Sequence, residues 1–213
     1  MKRLRVLLAD DDAIVLEGLR RVLAPDFEIV GEVADGHALV SAVAALRPDI
    51  VVSDISMPLL NGIEAARQIR KLKRKVKIVF LSMHPDVTYA AEALNAGGSA
   101  YVLKTSAGAT LRDAIGEALR GGIYVTPSLD KELVRGQMER AHRVDDATAD
   151  LTPRQREVLQ LLAEGKGLKD VAAVLKISIK TAEYHKYRIM NKLGVRTNAE
   201  MTKYAVKIGL STL

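Results

Sequence analysis

The chain of 213 residues contains no cysteine, which excludes disulfide bonds, thiolate zinc sites and cysteine nucleophiles. Long apolar runs are also missing. The N-terminal stretch MKRLRVLLADDD has an apolar run of only about five residues, which is too short for a signal peptide or a membrane span. We therefore expect a cytoplasmic protein that has no membrane among its partners. Hydrophobic residues nevertheless make up 48% of the chain, so a packed core is expected and extensive disorder is not.

Charge is distributed unevenly along the chain. Residues 1–125 have 16 Lys or Arg and 15 Asp or Glu, residues 126–150 have 4 and 6, and residues 151–213 have 12 and 5. A nearly neutral first part, an acidic connector and a basic C-terminal part predict two folded modules with different partners. The basic part is a candidate for binding nucleic acid.

The first module alternates between short apolar runs and segments with helical spacing. Five repeats of this alternation predict a parallel sheet with helices on both faces. Nearly continuous apolar strands fit burial in such a sheet. Ligands bind such sheets beyond the carboxyl ends of the strands, so the residues at these ends are functional candidates. The five runs are Leu4–Ala9, Phe27–Ala34, Asp49–Ser53, Val76–Leu81 and Ala100–Leu103.

Polar side chains stand at four of the predicted strand ends. Asp10–Asp12 follow the first strand, Asp54 the third, Ser82 the fourth and Lys104 the fifth. Carboxylates gathered at one edge repel one another unless a cation lies among them, and hard oxygen ligands of this kind suit Mg²⁺. A lysine and a hydroxyl opposite the metal would bind an anion. The pattern therefore predicts a phosphoryl site, in which an aspartate can accept the group as an acyl phosphate.

Each of these residues also has a simpler interpretation. Asp10–Asp12 can cap the following helix, where negative charge is favoured. Asp54 can form a turn at the strand end, and Ser82 and Lys104 fit ordinary strand ends when they are taken singly. The coincidence of four strand ends in chain order favours the phosphoryl site.

The rest of the chain predicts a connector and a helical domain. A helix over residues 128–142, with Leu129, Leu133 and Met138 on one stripe, is interpreted as a spacer that also helps dimerisation. The basic C-terminal part predicts four short helices with a tight turn between the second and third, which is typical of a helix-turn-helix. The predicted divisions are 1–122, 123–150 and 151–213.

The third helix of that domain, IKTAEYHKYRIMNKL, combines an apolar stripe with tyrosines among lysines. Ile179, Ala182, Ile189 and Leu193 can face the core, which leaves the other side chains outside. Exposed tyrosines and lysines suit a DNA major groove, where rings meet thymine methyl groups and cations meet phosphates. A charged surface helix with two half-buried tyrosines is the simpler alternative.

Residues 1–122 resemble the receiver domain of a two-component response regulator, through the segments VLLADDD, DIVVSDISMPLLNGIEAARQIR, IVFLSMH and AGGSAYVLKT. The resemblance implies a flavodoxin-like fold with a five-stranded, doubly wound parallel sheet. It implies that Asp54 is the phosphoacceptor. It also implies that Mg²⁺ is held by Asp10, Asp11, Asp54 and the backbone carbonyl of Ser56.

The same resemblance assigns three residues to the response of the domain. Lys104 is expected to pair with the phosphoryl group, Ser82 to hydrogen-bond it, and Tyr101 to turn inward together with Ser82. Two neighbours depart from the common pattern. Thr105 stands where many receivers have a proline after a cis peptide bond, and Met83 is larger than the small residue often found there, so we expect it to narrow access to the site.

Residues 151–213 resemble the LuxR/FixJ-type helix-turn-helix, without gaps from LTPRQREVL to KYAVKIGL. A receiver followed by this small all-α, four-helix domain is similar to the NarL/FixJ class of response regulators. The resemblance places residues of the third helix at base-facing or phosphate-facing positions. The base-facing positions are Glu183, Tyr184 and Tyr187, and the phosphate-facing ones are Lys180, Thr181, Arg188 and Lys192.

The combined resemblance implies a phosphorylation-controlled transcription regulator, with at most slow loss of its own aspartyl phosphate as enzymatic activity. The implied partners are a sensor histidine kinase, double-stranded promoter DNA and a second copy of the chain in a phosphorylated homodimer. Two other classes stay open. Turnover of an external phosphate ester would indicate a Mg²⁺-dependent phosphatase. DNA binding unchanged by Asp54→Ala would indicate a DNA-binding protein whose receiver only docks partners.

Overall fold

The computed structural model describes residues 3–72, 75–141 and 151–211, without the side chains of residues 140 and 141. The chain divides into two compact units, Met1–Arg140 and Ala141–Leu213. The polar linker predicted over residues 143–150 lies outside the described residues. Within the described part of the chain, every helix is too short or too polar to cross a membrane.

The first unit alternates strands and helices through five repeats and then adds one more strand and one more helix. A 3₁₀ turn over Lys104–Ser106 follows the fifth strand. The elements are β1 (Arg5–Ala9), α1 (Ala13–Leu23), β2 (Glu28–Val33), α2 (Gly36–Leu46), β3 (Ile50–Asp54), α3 (Gly62–Lys71), β4 (Lys77–Ser82), α4 (Val87–Asn95), β5 (Ala100–Leu103), α5 (Ala107–Leu119), β6 (Tyr124–Val125) and α6 (Lys131–Ala141).

All strand pairs of the sheet are parallel, in the order β2-β1-β3-β4-β5-β6. The chain runs from β1 outward to β2 and then returns to the other side of β1 for β3. The carboxyl ends of β1 and β3 therefore form the switch point at which such sheets bind ligands. The doubly wound parallel sheet of the sequence prediction is confirmed, and β6 adds a sixth strand to the five that were expected.

The core lies on both faces of the sheet. Side chains such as Leu7 and Val51 pack with α2, α3, α4 and α6 on one face. Their neighbours in the strands, such as Val6 and Val52, pack with α1 and α5 on the other face. Because successive side chains of a strand point to opposite faces, strands buried on both faces must be apolar throughout. This explains why the sequence shows apolar runs instead of alternation.

Helix α6 begins three residues later than the sequence predicts, and a different stripe faces the core. Leu129, just before the helix, is buried and Met138 packs against the core. Leu133, the remaining residue of the predicted stripe, is 59% exposed, whereas Val134 is fully buried. The helix therefore packs on one face of the sheet through Val134.

Over residues 151–211 the second unit has four short helices, as predicted: α7 (Pro153–Ala163), α8 (Leu168–Leu175), α9 (Ile179–Leu193) and α10 (Asn198–Lys207). Thr152 and Gln155 form a capping box at the start of α7. Gly194, with φ of 66°, ends α9 in the left-handed conformation that glycine tolerates best. Ala182 and Ile189 of α9 are buried as expected, but Ile179 is 48% exposed, so its predicted core position is wrong.

Candidate functional site

Two carboxylates are buried side by side at the switch point of the sheet. Asp10 directly follows β1 and is fully buried, while Asp54 is the last residue of β3 and is 4% exposed. Asp11 joins them from the exposed side, so that one carboxylate oxygen of each residue lies within 4.8 Å of the others. The structure therefore brings together the three acidic residues that the sequence places at the ends of different strands.

Lys104 bridges the two buried carboxylates. Its Nζ lies 2.7 Å from Oδ2 of Asp10 and 3.1 Å from Oδ2 of Asp54. The side chain comes from the 3₁₀ turn that follows β5. Because β4 separates β5 from β3 in the sheet, the lysine reaches across one strand end to the acidic cluster.

For both Asp54 and Lys104, burial and the opposite charge of the partner shift the pKa in opposite directions. Burial raises the pKa of the Asp54 carboxyl above its usual value, and nearby Asp10 adds to the rise, while Lys104 opposes it. Burial alone would lower the pKa of Lys104, but the hydrogen bond to Asp10 and the charges of both carboxylates raise that pKa above its usual value. The two carboxylates therefore favour the charged form of Lys104, while burial disfavours the ionised form of Asp54.

The backbone around Asp54 is fixed by close contacts. Its Oδ1 accepts a hydrogen bond from the amide of Ile55 at 2.8 Å, and its carbonyl accepts one from Oγ of Ser53 at 2.7 Å. The start of α3 packs directly on this turn, since a Cβ at Gly62 would lie 2.3 Å from the Asp54 carbonyl oxygen. The glycine therefore allows an approach that any side chain would prevent.

Ser82 and Tyr101 are both buried and both bind the loop after β4. Oγ of Ser82 accepts a hydrogen bond from the amide of His84 at 3.0 Å, and the Tyr101 hydroxyl donates one to the His84 carbonyl at 2.6 Å. Burial raises the pKa of Tyr101 to about 12. Because it is fully buried and its hydroxyl binds the His84 carbonyl, the Tyr101 ring already has the inward position that the family resemblance implies for the phosphorylated state.

The remaining predicted site residues lie in the loops around the cluster. Ser56 is half-buried in the bend after β3, and its side chain hydrogen-bonds the hydroxyl of Tyr89. Met83 is 62% exposed. The described residues have no cis peptide bond, so Lys104 and Thr105 are joined by a trans peptide.

The proposed DNA-reading residues lie on the exposed side of α9. Tyr184 and Tyr187, one turn apart, are 59% and 63% exposed, so the half-buried alternative does not apply to them. Ser178 caps the start of the helix through its hydroxyl, which accepts a hydrogen bond from the amide of Thr181 at 3.0 Å. All seven predicted contact residues are exposed: Lys180, Thr181, Glu183, Tyr184, Tyr187, Arg188 and Lys192.

Comparison with known proteins finds a family match for each of the two units. Residues 6–116 match the response regulator receiver domain, and residues 149–205 match the luxR family of bacterial regulatory proteins. The oxygen regulatory protein NreC of Staphylococcus haemolyticus is 34% identical, over 96% of this chain and 97% of its own length.

The chain belongs to the response regulator family. Its receiver and luxR-type domain together make it a NarL/FixJ-class response regulator, a phosphorylation-controlled DNA-binding regulator of transcription.

Solved structures of another response regulator, RcsB, resemble this chain over its whole length. RcsB from Salmonella enterica serovar Typhimurium, bound to promoter P1flhDC in the presence of the phosphomimetic BeF3−, is 28% identical with a TM-score of 0.61 and covers 100% of both chains. A structure of two RcsB dimers bound to two parallel DNAs is 28% identical with a TM-score of 0.57, over 97% of this chain and 100% of the other.

Sequence reasoning missed several residues that shape the receiver site of this response regulator. Thr126 hydrogen-bonds the end of β5. It lies in the stretch IYVTPSL, which is too short for its residue pattern to show whether the segment pairs in a sheet or is only an extended connection. The pair Asn61-Gly62 by itself indicates a turn. It could also have suggested the close approach of α3 to the Asp54 carbonyl that glycine allows. The His84 backbone carried no signal, because it binds Ser82 and Tyr101 through peptide groups that every residue has.

Proposed function

We propose that Asp54 of this response regulator accepts a phosphoryl group from a sensor histidine kinase and thereby controls DNA binding by α9. The observation that carries the proposal is the buried cluster in which Lys104 bridges Asp10 and Asp54. In the reaction, the bond between phosphorus and the donor breaks and a bond from phosphorus to an Asp54 carboxylate oxygen forms. The product is an acyl phosphate.

The chemistry of the acidic cluster fits Mg²⁺. Three carboxylates lie together, and among the described residues the ion pairs of Asp10 and Asp54 are made with Lys104 alone. Hard oxygen donors with a surplus of negative charge suit a small divalent cation. Asp10, Asp11, Asp54 and the backbone carbonyl of Ser56 would hold it. When bound, Mg²⁺ offsets the charge of the carboxylates and of the incoming phosphoryl oxygens.

The positions of the side chains support Lys104, Ser82 and Tyr101 as the switch residues. Lys104 already contacts Asp54, so it is placed to pair with a phosphoryl group on that residue. Phosphorylation adds about 1.5 to 2 negative charges and strong acceptor oxygens. Oγ of Ser82 accepts a hydrogen bond from the His84 amide, while its hydroxyl hydrogen can donate to a phosphoryl oxygen. A rotation of Ser82 towards that oxygen would weaken its bond to the loop after β4. The loop that also anchors the Tyr101 hydroxyl would then rearrange.

Phosphorylation therefore biases the receiver between two arrangements of the β4–α4 loop, and the state with Ser82 on the phosphoryl group is the signalling state. We expect that state to form a homodimer and to bind promoter DNA. The RcsB dimers on DNA and the RcsB–promoter complex with BeF3− support this. The acyl phosphate is expected to hydrolyse slowly, which limits the lifetime of the signal.

The helix α9 is the part of the second unit proposed to enter the major groove. Its exposed tyrosines and Glu183 can meet base edges, while Lys180, Arg188 and the other phosphate-facing residues position the helix on the backbone. Proteins of this type bind two half-sites about one helical turn apart when they dimerise. Promoter DNA is thus the proposed partner of the basic unit.

The phosphoacceptor is tested by the intact mass of the full chain after incubation with a small acyl-phosphate donor, with and without Mg²⁺. The wild type should gain one phosphoryl group when Mg²⁺ is present, and Asp54→Asn should gain none. Asp12→Asn is the matched control. Asp12 belongs to the same acidic loop but caps α1, and asparagine caps equally well. Labelling of Asp54→Asn, or loss of labelling only in Asp12→Asn, would contradict the assignment.

A further inference from the structure

The short strand β6 lies beyond residues 6–116, which match the receiver family, yet it is hydrogen-bonded into the sheet. Ala100 pairs with Tyr124 and Tyr101 with Val125 in parallel register. The next residue, Thr126, is 3% exposed and continues this edge past the end of the strand. The end of β5 is therefore covered by a segment that belongs to the connector.

Thr126 holds β5 at two points. Its Oγ1 accepts a hydrogen bond from the amide of Leu103 at 2.9 Å and donates one to the carbonyl of Tyr101 at 3.3 Å. Its own amide donates a second bond to the same carbonyl at 3.0 Å. A single buried hydroxyl thus binds backbone groups on both sides of Val102. Its removal would leave the buried amide of Leu103 without this partner.

The held residues are those next to the proposed phosphorylation chemistry. Leu103 directly precedes Lys104, whose Nζ bridges Asp10 and Asp54. Tyr101 is the proposed switch residue. The position of the lysine therefore depends on the backbone that the threonine fixes, because its side chain starts from the 3₁₀ turn that begins where β5 ends.

We propose that Thr126 is a positioning residue for phosphoryl transfer to Asp54. It holds the end of β5 so that Lys104 can reach the phosphoryl group. This inference rests on the proposed function of Asp54 and deepens it, since it makes a residue of the connector part of the phosphorylation site.

The alternative is that Thr126 only closes the edge of the sheet. In that case its loss lowers stability without a specific effect on the reaction, as loss of any buried group of the same core would. Val43 provides the comparison, since it is 1% exposed on α2 and packs in the cluster that also contains Tyr101. Val43→Ala removes buried methyl groups and leaves the ends of β3 and β5 intact.

The test uses the full chain with Mg²⁺ and a small acyl-phosphate donor. It measures the maximal rate of Asp54 labelling and the donor concentration at half-maximal rate for wild type, Thr126→Val, Thr126→Ser and Val43→Ala. Thr126→Val keeps the shape and removes the hydroxyl. We expect its maximal rate to fall by about two- to tenfold, because both hydrogen bonds of the hydroxyl are lost and only part of that loss reaches the transition state, with a smaller change in half-saturation. Thr126→Ser should restore the rate, and Val43→Ala should keep it.

Equal maximal rates for wild type and Thr126→Val, or an equal fall in Val43→Ala, would overturn the positioning role while leaving Asp54 as phosphoacceptor. Failure of Thr126→Ser to restore the rate would also overturn it, because the serine hydroxyl can make the same bonds. If the wild type itself gains no phosphoryl group under any donor or kinase, the proposed function falls and this inference falls with it.

Discussion

At the scale of single residues, the site depends on one lysine that balances two buried carboxylates. Lys104 contacts both Asp10 and Asp54, and neither carboxylate is exposed enough for water to screen it fully. The raised pKa of Asp54 shows that the lysine does not compensate for burial and for Asp10 together. The site is therefore short of positive charge, and a divalent cation would supply what is missing.

This shortage predicts that Asp54→Asn stabilises the fold. A raised pKa means that the folded state binds protons more tightly than the unfolded state. The free energy of unfolding therefore falls as pH rises above the ordinary value of 3.8, and at neutral pH ionised Asp54 lowers stability. Without Mg²⁺ at pH 7, thermal unfolding of Asp54→Asn should occur at a higher midpoint than that of the wild type. The difference should shrink as the pH is lowered towards 4.

Asp12→Asn is again the control, because it removes a charge from the same acidic loop and keeps the helix cap. It should change the midpoint little at either pH. Mg²⁺ should raise the midpoint of the wild type more than that of Asp54→Asn, since one proposed ligand is lost. An equal or lower midpoint for Asp54→Asn at pH 7 would show that Lys104 already compensates for the buried charge.

Two residues of α9 are predicted to differ in what they recognise. Tyr184→Ala should weaken binding to a selected DNA duplex by about 1–3 kcal/mol and change random-sequence binding little, since base contacts carry specificity. Lys192→Ala should weaken both duplexes alike and reduce the dependence of log affinity on log salt by about one unit. Fluorescence anisotropy titrations at several salt concentrations measure both. If Tyr184→Ala weakens both duplexes equally, the tyrosine does not read bases.

Residue identity at strand ends could be predicted, but side-chain position could not. Asp10, Asp54 and Lys104 were found from sequence because a parallel sheet brings the ends of its strands to one edge. The inward ring of Tyr101 depends on a hydrogen bond to the His84 backbone, and a rotamer held by a loop leaves no mark in a sequence. Thr126 was missed for the same reason, since its partners are peptide groups.

At the scale of elements, the position of Asp54 depends on how closely α3 approaches the end of β3. A Cβ at Gly62 would lie 2.3 Å from the Asp54 carbonyl oxygen, whereas a Cβ at Gly18 in α1 would meet nothing within 4 Å. Gly62→Ala should therefore lower the free energy of unfolding by about 1–3 kcal/mol through forced displacement. Gly18→Ala, the same substitution in an open helix, should raise it by about 0.5–1 kcal/mol.

Chemical denaturation measures both free energies, and the opposite signs make the pair informative. If Gly62→Ala is as stable as the wild type, α3 can move away from β3. The turn that carries Asp54 would then be less constrained than its close contacts indicate.

The phase of α6 gives a second prediction at this scale. Val134 is fully buried in the core of the first unit, and Leu133 is 59% exposed. Val134→Ala removes two buried methyl groups and should lower the free energy of unfolding by about 1.5–3 kcal/mol. Leu133→Ala should change it by less than about 0.5 kcal/mol. A larger cost for Leu133→Ala would mean that Leu133, and not Val134, packs against the core.

The elements of the receiver were predictable where apolar runs repeat. In the connector the helix was predicted, but β6 and the side of the helix that faces the core were not. Five long repeats of strand and helix reinforce one another, so their types followed from periodicity. The segment of β6 and α6 has one two-residue strand and a helix with adjacent apolar residues at Leu133 and Val134. Either residue fits an amphipathic stripe, and only tertiary contacts decide between them.

At the scale of the whole molecule, two chemistries share one chain. The first unit gathers three carboxylates at the proposed phosphoryl site, and the second carries 12 Lys or Arg against 5 Asp or Glu over residues 151–213. We therefore expect DNA binding by the second unit to depend strongly on salt, and phosphorylation to act on it as a bias between states. A shift of about 1–3 kcal/mol in that balance changes DNA affinity by about 5- to 150-fold.

The central claim is that a phosphoryl group on Asp54 controls DNA affinity. The most direct test is fluorescence anisotropy at one fixed salt concentration, with a duplex selected from random sequences for binding to the full chain. Wild type and Asp54→Asn are compared with and without Mg²⁺ and a small acyl-phosphate donor. We predict that the donor raises the affinity of the wild type by about fivefold or more and leaves that of Asp54→Asn unchanged. Equal affinities in all four measurements, with labelling of the wild type confirmed by mass, would contradict the account and indicate a receiver that only docks partners.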